Sequence, residues 1–110
     1  MRLYQDILEA MDNAVKFIGE MSYEEFTQDT KTIYAVLRAI EVIGEATKNI
    51  LEDVREKYPE IPWKDMAGMR DKVIHEYFVV KIERVWLTVK EDIPRIKPLI
   101  KKVFEDLDDE

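Results

Sequence analysis

A chain of 110 residues, 46% apolar and 37% charged, has enough apolar surface for one compact core beneath a charged coat and is too apolar for a disordered chain. The absence of cysteine excludes disulfide frameworks, thiolate metal sites and cysteine nucleophiles. The formal charge of −7 opposes indiscriminate nucleic-acid binding, because phosphate contacts need lysine and arginine.

That charge is unevenly spread. Residues 63–102 hold ten Lys/Arg against six Asp/Glu, residues 1–62 hold seven against thirteen, and residues 103–110 hold none against five. On charge alone the basic stretch reads more readily as a solvated helix face than as a polyanion contact. No run approaches the ~20 apolar residues needed to cross a bilayer. The start, Met1-Arg2-Leu3-Tyr4-Gln5-Asp6, places acids among apolar residues, unlike a secretory leader. The expectation is a soluble, cytoplasmic protein with no membrane partner.

In chain order, Leu3, Ile7, Met11, Val15 and Ile18 recur at spacings of four and three and predict an amphipathic helix over residues 3–19. Ser22 with Glu25 has capping-box spacing, which predicts a short helical turn before Asp29 or Thr30 caps the next element. From residue 30 to about 57, Ile33, Leu37, Ile40, Gly44, Thr47, Leu51 and Val54 follow a nearly regular 4-3 pattern, the seam of one long bundle helix. Gly44 on that seam either admits the close approach of another backbone or is simply tolerated, at about 1 kcal/mol relative to alanine.

The segment Tyr58-Pro59-Glu60-Ile61-Pro62 must end that helix, since proline lacks the amide donor and restricts the residue before it. Helical pattern resumes near Trp63 or Lys64 and runs to about residue 78, with Met66, Met69, Val73 and Phe78 available for burial. Ile82, Val85, Trp86 and Val89 predict a further helix interrupted around Ile93-Pro94. Ile96, Leu99, Ile100, Val103 and Leu107 predict a last one, its start blurred by Pro98. Residues 106–110 read as a frayed acidic tail. No alternating strand pattern occurs, so the expected fold is all-α: one domain over residues 1–110, an up-and-down bundle of four or five helices.

The chemically loaded segment is Arg70-Asp71-Lys72-Val73-Ile74-His75-Glu76-Tyr77. His75 is the only histidine and so the one side chain whose unperturbed pKa lies near neutrality. Cleaving an RNA phosphodiester needs a group to move protons and a cation to hold the charge gathering on the phosphate oxygens; His75 and Arg70 are of those types. Asp71, four before His75, shares its helix face and could fix the imidazole tautomer. Arg70, five before it, lies about 140° away on an ideal helix. A joint site therefore requires a curled arginine, an irregular helix, or two subunits. Tyr77, seven after Arg70, returns to the arginine's face. Spacing alone does not distinguish this set from a structural histidine among surface charges.

Other patterns are weaker. Glu41 and Glu45 share a face, but the Glu-x-x-His element of dimetal bundles is missing, since Lys72 stands three before His75. The two glutamates are expected to meet partner-helix cations or line a dimer cleft, and no metal or cofactor is expected. The Asp-x-Asp of Asp106 and Asp108 sits in the tail, away from any transferase-like sheet. Trp63, Trp86, Phe78 and Phe104 suit core packing better than base stacking.

The order Ile61-Pro62-Trp63, Met66-Ala67-Gly68-Met69-Arg70-Asp71 and His75-Glu76-Tyr77, with Ala39-Ile40-Glu41-Val42-Ile43-Gly44-Glu45-Ala46 on the long helix, resembles the HepT-like branch of the HEPN superfamily over nearly the whole chain. The family's pattern is an arginine, a polar residue directly after it, a histidine separated from the arginine by four to six residues, and in this branch a tyrosine two positions after the histidine. Arg70, Asp71, His75 and Tyr77 match it. The resemblance implies a HEPN-like bundle acting as the homodimeric toxin of a type VII-like toxin–antitoxin pair. Its activity would be metal-independent endoribonuclease cleavage of an RNA substrate by Arg70 and His75, supported by Asp71. It further implies an antitoxin partner, a minimal nucleotidyltransferase, that silences the toxin by placing AMP on Tyr77. The competing expectation is a non-catalytic helical module that docks or regulates that transferase.

Overall fold

The computed structural model describes residues 2–75 and 82–108, with the backbone alone for residues 2, 70–75 and 108. The amphipathic start forms α1 (Arg2–Ile18), which buries Tyr4, Ile7, Met11, Ala14 and Ile18. Val15, expected on this stripe, is 45% exposed, and Ala14 takes its place. Four-residue steps overshoot a 3.6-residue turn by about 40° each, so a run of them leaves the core and a three-residue step restores it. Gly19 ends the helix at φ +52°, a left-handed conformation that glycine adopts without a Cβ clash.

The capping box before α2 (Tyr23–Gln28) forms as its spacing predicts: the Glu25 amide donates to Ser22 Oγ at 3.1 Å, and the Ser22 amide to Glu25 Oε1 at 2.9 Å. Asp29 then caps α3 (Thr30–Lys48), accepting from the Thr32 amide at 3.0 Å.

The long helix expected to reach residue 57 is two helices, α3 and α4 (Glu52–Lys57). At the break Asn49 ends α3, Ile50 turns into the core, and Leu51, predicted on the seam, is 69% exposed. Arg55 holds the corner, its guanidinium donating to the carbonyls of Thr47 at 2.8 Å and Ile50 at 3.3 Å. Carbonyls at a helix end lack partners within the helix, so a cation that pairs two of them stabilises the stop. The seam holds within α3, where Leu37, Ile40, Gly44 and Thr47 are buried.

After the proline loop come α5 (Trp63–His75), α6 (Ile82–Leu87), a π-helical turn (Thr88–Asp92) and α7 (Ile93–Asp108). The interruption expected around Ile93-Pro94 is this π turn, through which the backbone stays helical. The Ile93 amide donates to the Thr88 carbonyl five residues back, and Thr88 Oγ1 to the Arg84 carbonyl at 2.9 Å. The wider turn accommodates Pro94, which has no amide to offer and whose ring crowds the preceding turn. It also keeps Val85, Val89 and Ile93, spaced by four and four, on the buried side. α7 runs to Asp108 with Leu107 packed partly on the core, so the acidic end is helical to that residue.

α3 packs between α1 and α5, α7 packs on α1, and α2 bridges α3 and α6. The described residues form an all-α, up-and-down bundle of four long elements without strands. Ile7, Met11, Phe26, Ile43, Met66, Ile93 and Ile100 are fully buried at its centre, each worth about 1.5–3 kcal/mol relative to exposure.

Candidate active site

The helix that carries the loaded segment is anchored at its start. Tyr58 ends α4 with its ring buried, and its hydroxyl donates to Asp106 Oδ2 at 3.3 Å, tying the loop to the end of α7. Its carbonyl accepts from Trp63 Nε1 at 2.9 Å and from the Ile61 amide at 3.2 Å. Ile61, Trp63 and Met66 are all buried, and the Met66 amide closes the first turn on the Pro62 carbonyl at 3.0 Å. A proline directly before the helix costs no hydrogen bond there, because first-turn amides have no helical acceptor. Sequence reasoning marked this loop as a stop; the structure makes it a clamp that fixes the axis of α5.

Arg70, Asp71 and His75 follow on the C-terminal half of α5, whose backbone is regular α-helix to His75. The irregular-helix explanation for a joint site thus falls away between Arg70 and His75. Their positions stand about 7.5 Å apart along the axis and about 140° around it, while those of Asp71 and His75 share a face. Tyr77 lies outside the described residues, as does Phe78. Two residues before Arg70, Gly68 is partly exposed, and among the described residues a Cβ built on it would meet nothing within 4 Å.

The other sequence candidates are placed elsewhere. Glu41 accepts from Arg38 Nη1 at 3.0 Å on its own helix, and Glu45 is exposed. Among the described residues no three His, Asp or Glu side chains gather as metal ligands would. Trp63 is core, and Phe104 packs partly on it. Trp86 is half-buried, with its ring centre 5.6 Å from that of Tyr23 and 5.5 Å from that of Phe26. Lys90 Nζ sits 5.2 Å over the same ring, so these neighbours, not an RNA base, occupy the indole's surroundings. A cleft of about 310 Å³ lies between α1 and α3, lined by Asp6, Glu9, Asn13, Phe17, Arg38 and Val42 among others. No described helix is long and apolar enough to cross a membrane.

Sequence reasoning missed Arg55 and Tyr58, which hold the approach to α5. The two prolines beside Tyr58 were the available signal; nothing in the local pattern marked Arg55.

Comparison with known proteins places this geometry. The family model described as "Ribonuclease HepT-like" matches residues 7–103, a span that takes in Arg70, Asp71, His75 and Tyr77. The chain is 52% identical over 104 residues to "Putative RNase MJ0125" of Methanocaldococcus jannaschii, covering 94% of this chain and 90% of that protein. It is 50% identical over 99 residues to "Probable ribonuclease HepT" of Thermococcus cleftensis, covering 90% of each. A Caldanaerobacter subterraneus protein, "Putative RNase TTE0752", shares 38% over 101 residues, covering 92% of this chain and 90% of that one. No solved structure matches significantly. An all-helical bundle whose clamped helix carries the arginine–histidine pattern, matched across most of its length by that model, belongs to the HepT-like ribonuclease family of the HEPN superfamily.

Proposed function

We propose that this chain is a metal-independent endoribonuclease, the toxin of a type VII-like toxin–antitoxin pair. It works in the cytoplasm as a homodimer through Arg70 and His75. The observation that carries this reading is the family match across residues 7–103, which spans the whole loaded segment.

In the cleavage step the ribose 2'-oxygen bonds to phosphorus as the bond from phosphorus to the 5'-oxygen breaks. One proton leaves the 2'-hydroxyl and another reaches the departing oxygen. His75 is the group to move a proton near neutral pH. Arg70 holds the phosphate and offsets its growing charge, and Asp71 supports the imidazole from the same helix face. The unbroken α-helix between Arg70 and His75 favours a site that pairs Arg70 of one subunit with His75 of the other.

Regulation follows from charge. A minimal nucleotidyltransferase antitoxin joins the Tyr77 phenol oxygen to the α-phosphorus of ATP, and pyrophosphate leaves. The ester brings a bulky nucleotide and about one negative charge to the face that attracts RNA phosphate, opposing both access and Arg70's pull.

The test is incubation of the purified chain with a panel of RNAs in chelator, beside Arg70→Ala and His75→Ala. The parent cleaves, and each variant loses about a hundredfold or more. Mixing the two dead variants restores about a quarter of the parent's sites, because half the dimers are mixed and each then holds one intact arginine–histidine pair. Full activity in either variant refutes the catalytic assignment, and no recovery on mixing refutes the shared site. A parent that cleaves nothing yet is adenylylated on Tyr77 is a docking module instead.

A further inference from the structure

We propose that the outward face of α7 over residues 93–104 is a docking strip for the phosphate backbone of single-stranded RNA. The inference rests on the ribonuclease reading and deepens it by locating where substrate is held away from Arg70 and His75.

The strip departs from the rest of the molecule in charge. The chain carries 24 acids against 17 Lys/Arg, yet residues 93–104 contain Arg95, Lys97, Lys101 and Lys102 and no acid. Ile93, Ile96, Ile100 and Val103 are buried, so the helix turns its opposite side to solvent. On that side, every exposed residue from 94 to 102 is a proline or a cation: Pro94, Arg95, Pro98, Lys101 and Lys102.

The cations also differ in availability. Lys97 is engaged by Asp12 of α1. Arg95 meets Asp92 only at 3.8 Å, with its own side chain 66% exposed, a loose pair that an incoming phosphate can replace. Among the described residues no ion pair engages Lys101 or Lys102. Arg95 and Lys102, seven residues apart, share one stripe with about 10 Å between them along the axis, and Lys101 flanks it.

Charge complementarity selects the occupant. Protein interfaces centre on large apolar side chains, but the exposed ones among the described residues, Val15, Phe17, Tyr34 and Leu51, all lie outside α7. A phosphate backbone needs only spaced cations.

The magnitude follows from counterion release. Each phosphate contact to a single strand contributes about 0.7 to the slope of log affinity against log salt, or about fivefold at 0.1 M salt. Lys101→Gln with Lys102→Gln should therefore weaken binding about 25-fold and flatten the slope by about 1.4. The probe is a labelled short single-stranded RNA with 2'-O-methyl riboses, which binds without being cut, followed by fluorescence anisotropy against salt. Lys16→Gln with Lys31→Gln removes the same charge from exposed positions on α1 and α3 and should change affinity less than twofold beyond its effect on net charge.

Support requires the loss in the α7 pair, its absence in the control pair, and unchanged helicity by circular dichroism. A parent that does not bind the probe, equal loss in both pairs, or poly-glutamate competing as well as RNA overturns the strip. Cleavage by the parent with unaltered kinetics in the α7 pair also overturns it, while leaving the ribonuclease reading intact.

Discussion

Gly68→Ala is expected to stabilise the chain, although it alters a residue two before Arg70. Glycine inside a helix costs about 0.8–1 kcal/mol relative to alanine, because the unfolded backbone has more freedom to lose and the folded one gains no side chain. At many buried glycines a new methyl collides with a neighbour and reverses that gain. At Gly68 the added Cβ meets nothing within 4 Å among the described residues and the residue is partly exposed, so the propensity term stands nearly alone. The expected gain is about 0.5–1 kcal/mol. At about 2.1 cal/mol/K per residue a chain this long has an unfolding entropy near 0.23 kcal/mol/K, so the midpoint should rise by about 2–4 °C. Urea and thermal unfolding followed by circular dichroism, at one fixed protein concentration, measure both. An unchanged or lowered stability would refute the reasoning, since it would mean that α5 is not helical at Gly68 or that something packs there.

Arg55→Ala should cost about 1–3 kcal/mol, because it leaves the carbonyls of Thr47 and Ile50 without their guanidinium donor; Arg55→Lys should recover at most part of this, since an ammonium lacks the planar fork. Chemical denaturation of both variants checks the order. At alkaline pH, Tyr4 should act as a stability switch: burial first, then the nearby Tyr58 and Asp53, raise its pKa above the usual tyrosine value. Its contribution is complete below the unfolded-state value near pH 10 and is lost as pH rises toward the folded one. Tyr4→Phe should therefore show a shallower decline in unfolding free energy between about pH 9 and 11, and a decline as steep as the parent's would remove Tyr4 from the explanation.

Where the sequence pattern was local, it was read correctly. Ser22 and Glu25 needed only each other, and their three-residue spacing predicted the capping box outright. The helices failed to follow the pattern where tertiary contacts decided between two nearly equal local choices. The apolar seam runs from Ile33 to Val54 without a gap, and nothing adjacent to Leu51 forbids helix. What breaks it is the burial of Ile50 together with Arg55 reaching back across eight residues to the Thr47 carbonyl. Pro94 was legible as an obstacle but not in its resolution. The four-four spacing of Val85, Val89 and Ile93 was the available hint, since three residues so spaced share a buried line better on a wider turn than on an α-helix.

The candidate site was read from residue chemistry alone. Residue chemistry singled out Arg70 and His75, because one histidine and a nearby arginine are what phosphodiester chemistry requires. Geometry then worked against the simplest use of them, since five positions on a helix do not share a face. The structure sharpens that conflict: with Trp63 and Met66 buried and the Trp63 indole bonded to Tyr58, α5 enters its last turns on a fixed axis, and its backbone stays α-helical to His75. A curled arginine within one chain would have to span about 7.5 Å of rise and more than a third of the helix circumference, losing much of its rotamer freedom in the process. In the proposed homodimer, a two-fold axis that set the arginine side of one α5 against the histidine side of the other would meet the requirement without that cost, and would do so twice. Loss of activity on dilution below the dimer dissociation constant, with helicity retained, would follow from that arrangement and not from a site contained in a single chain.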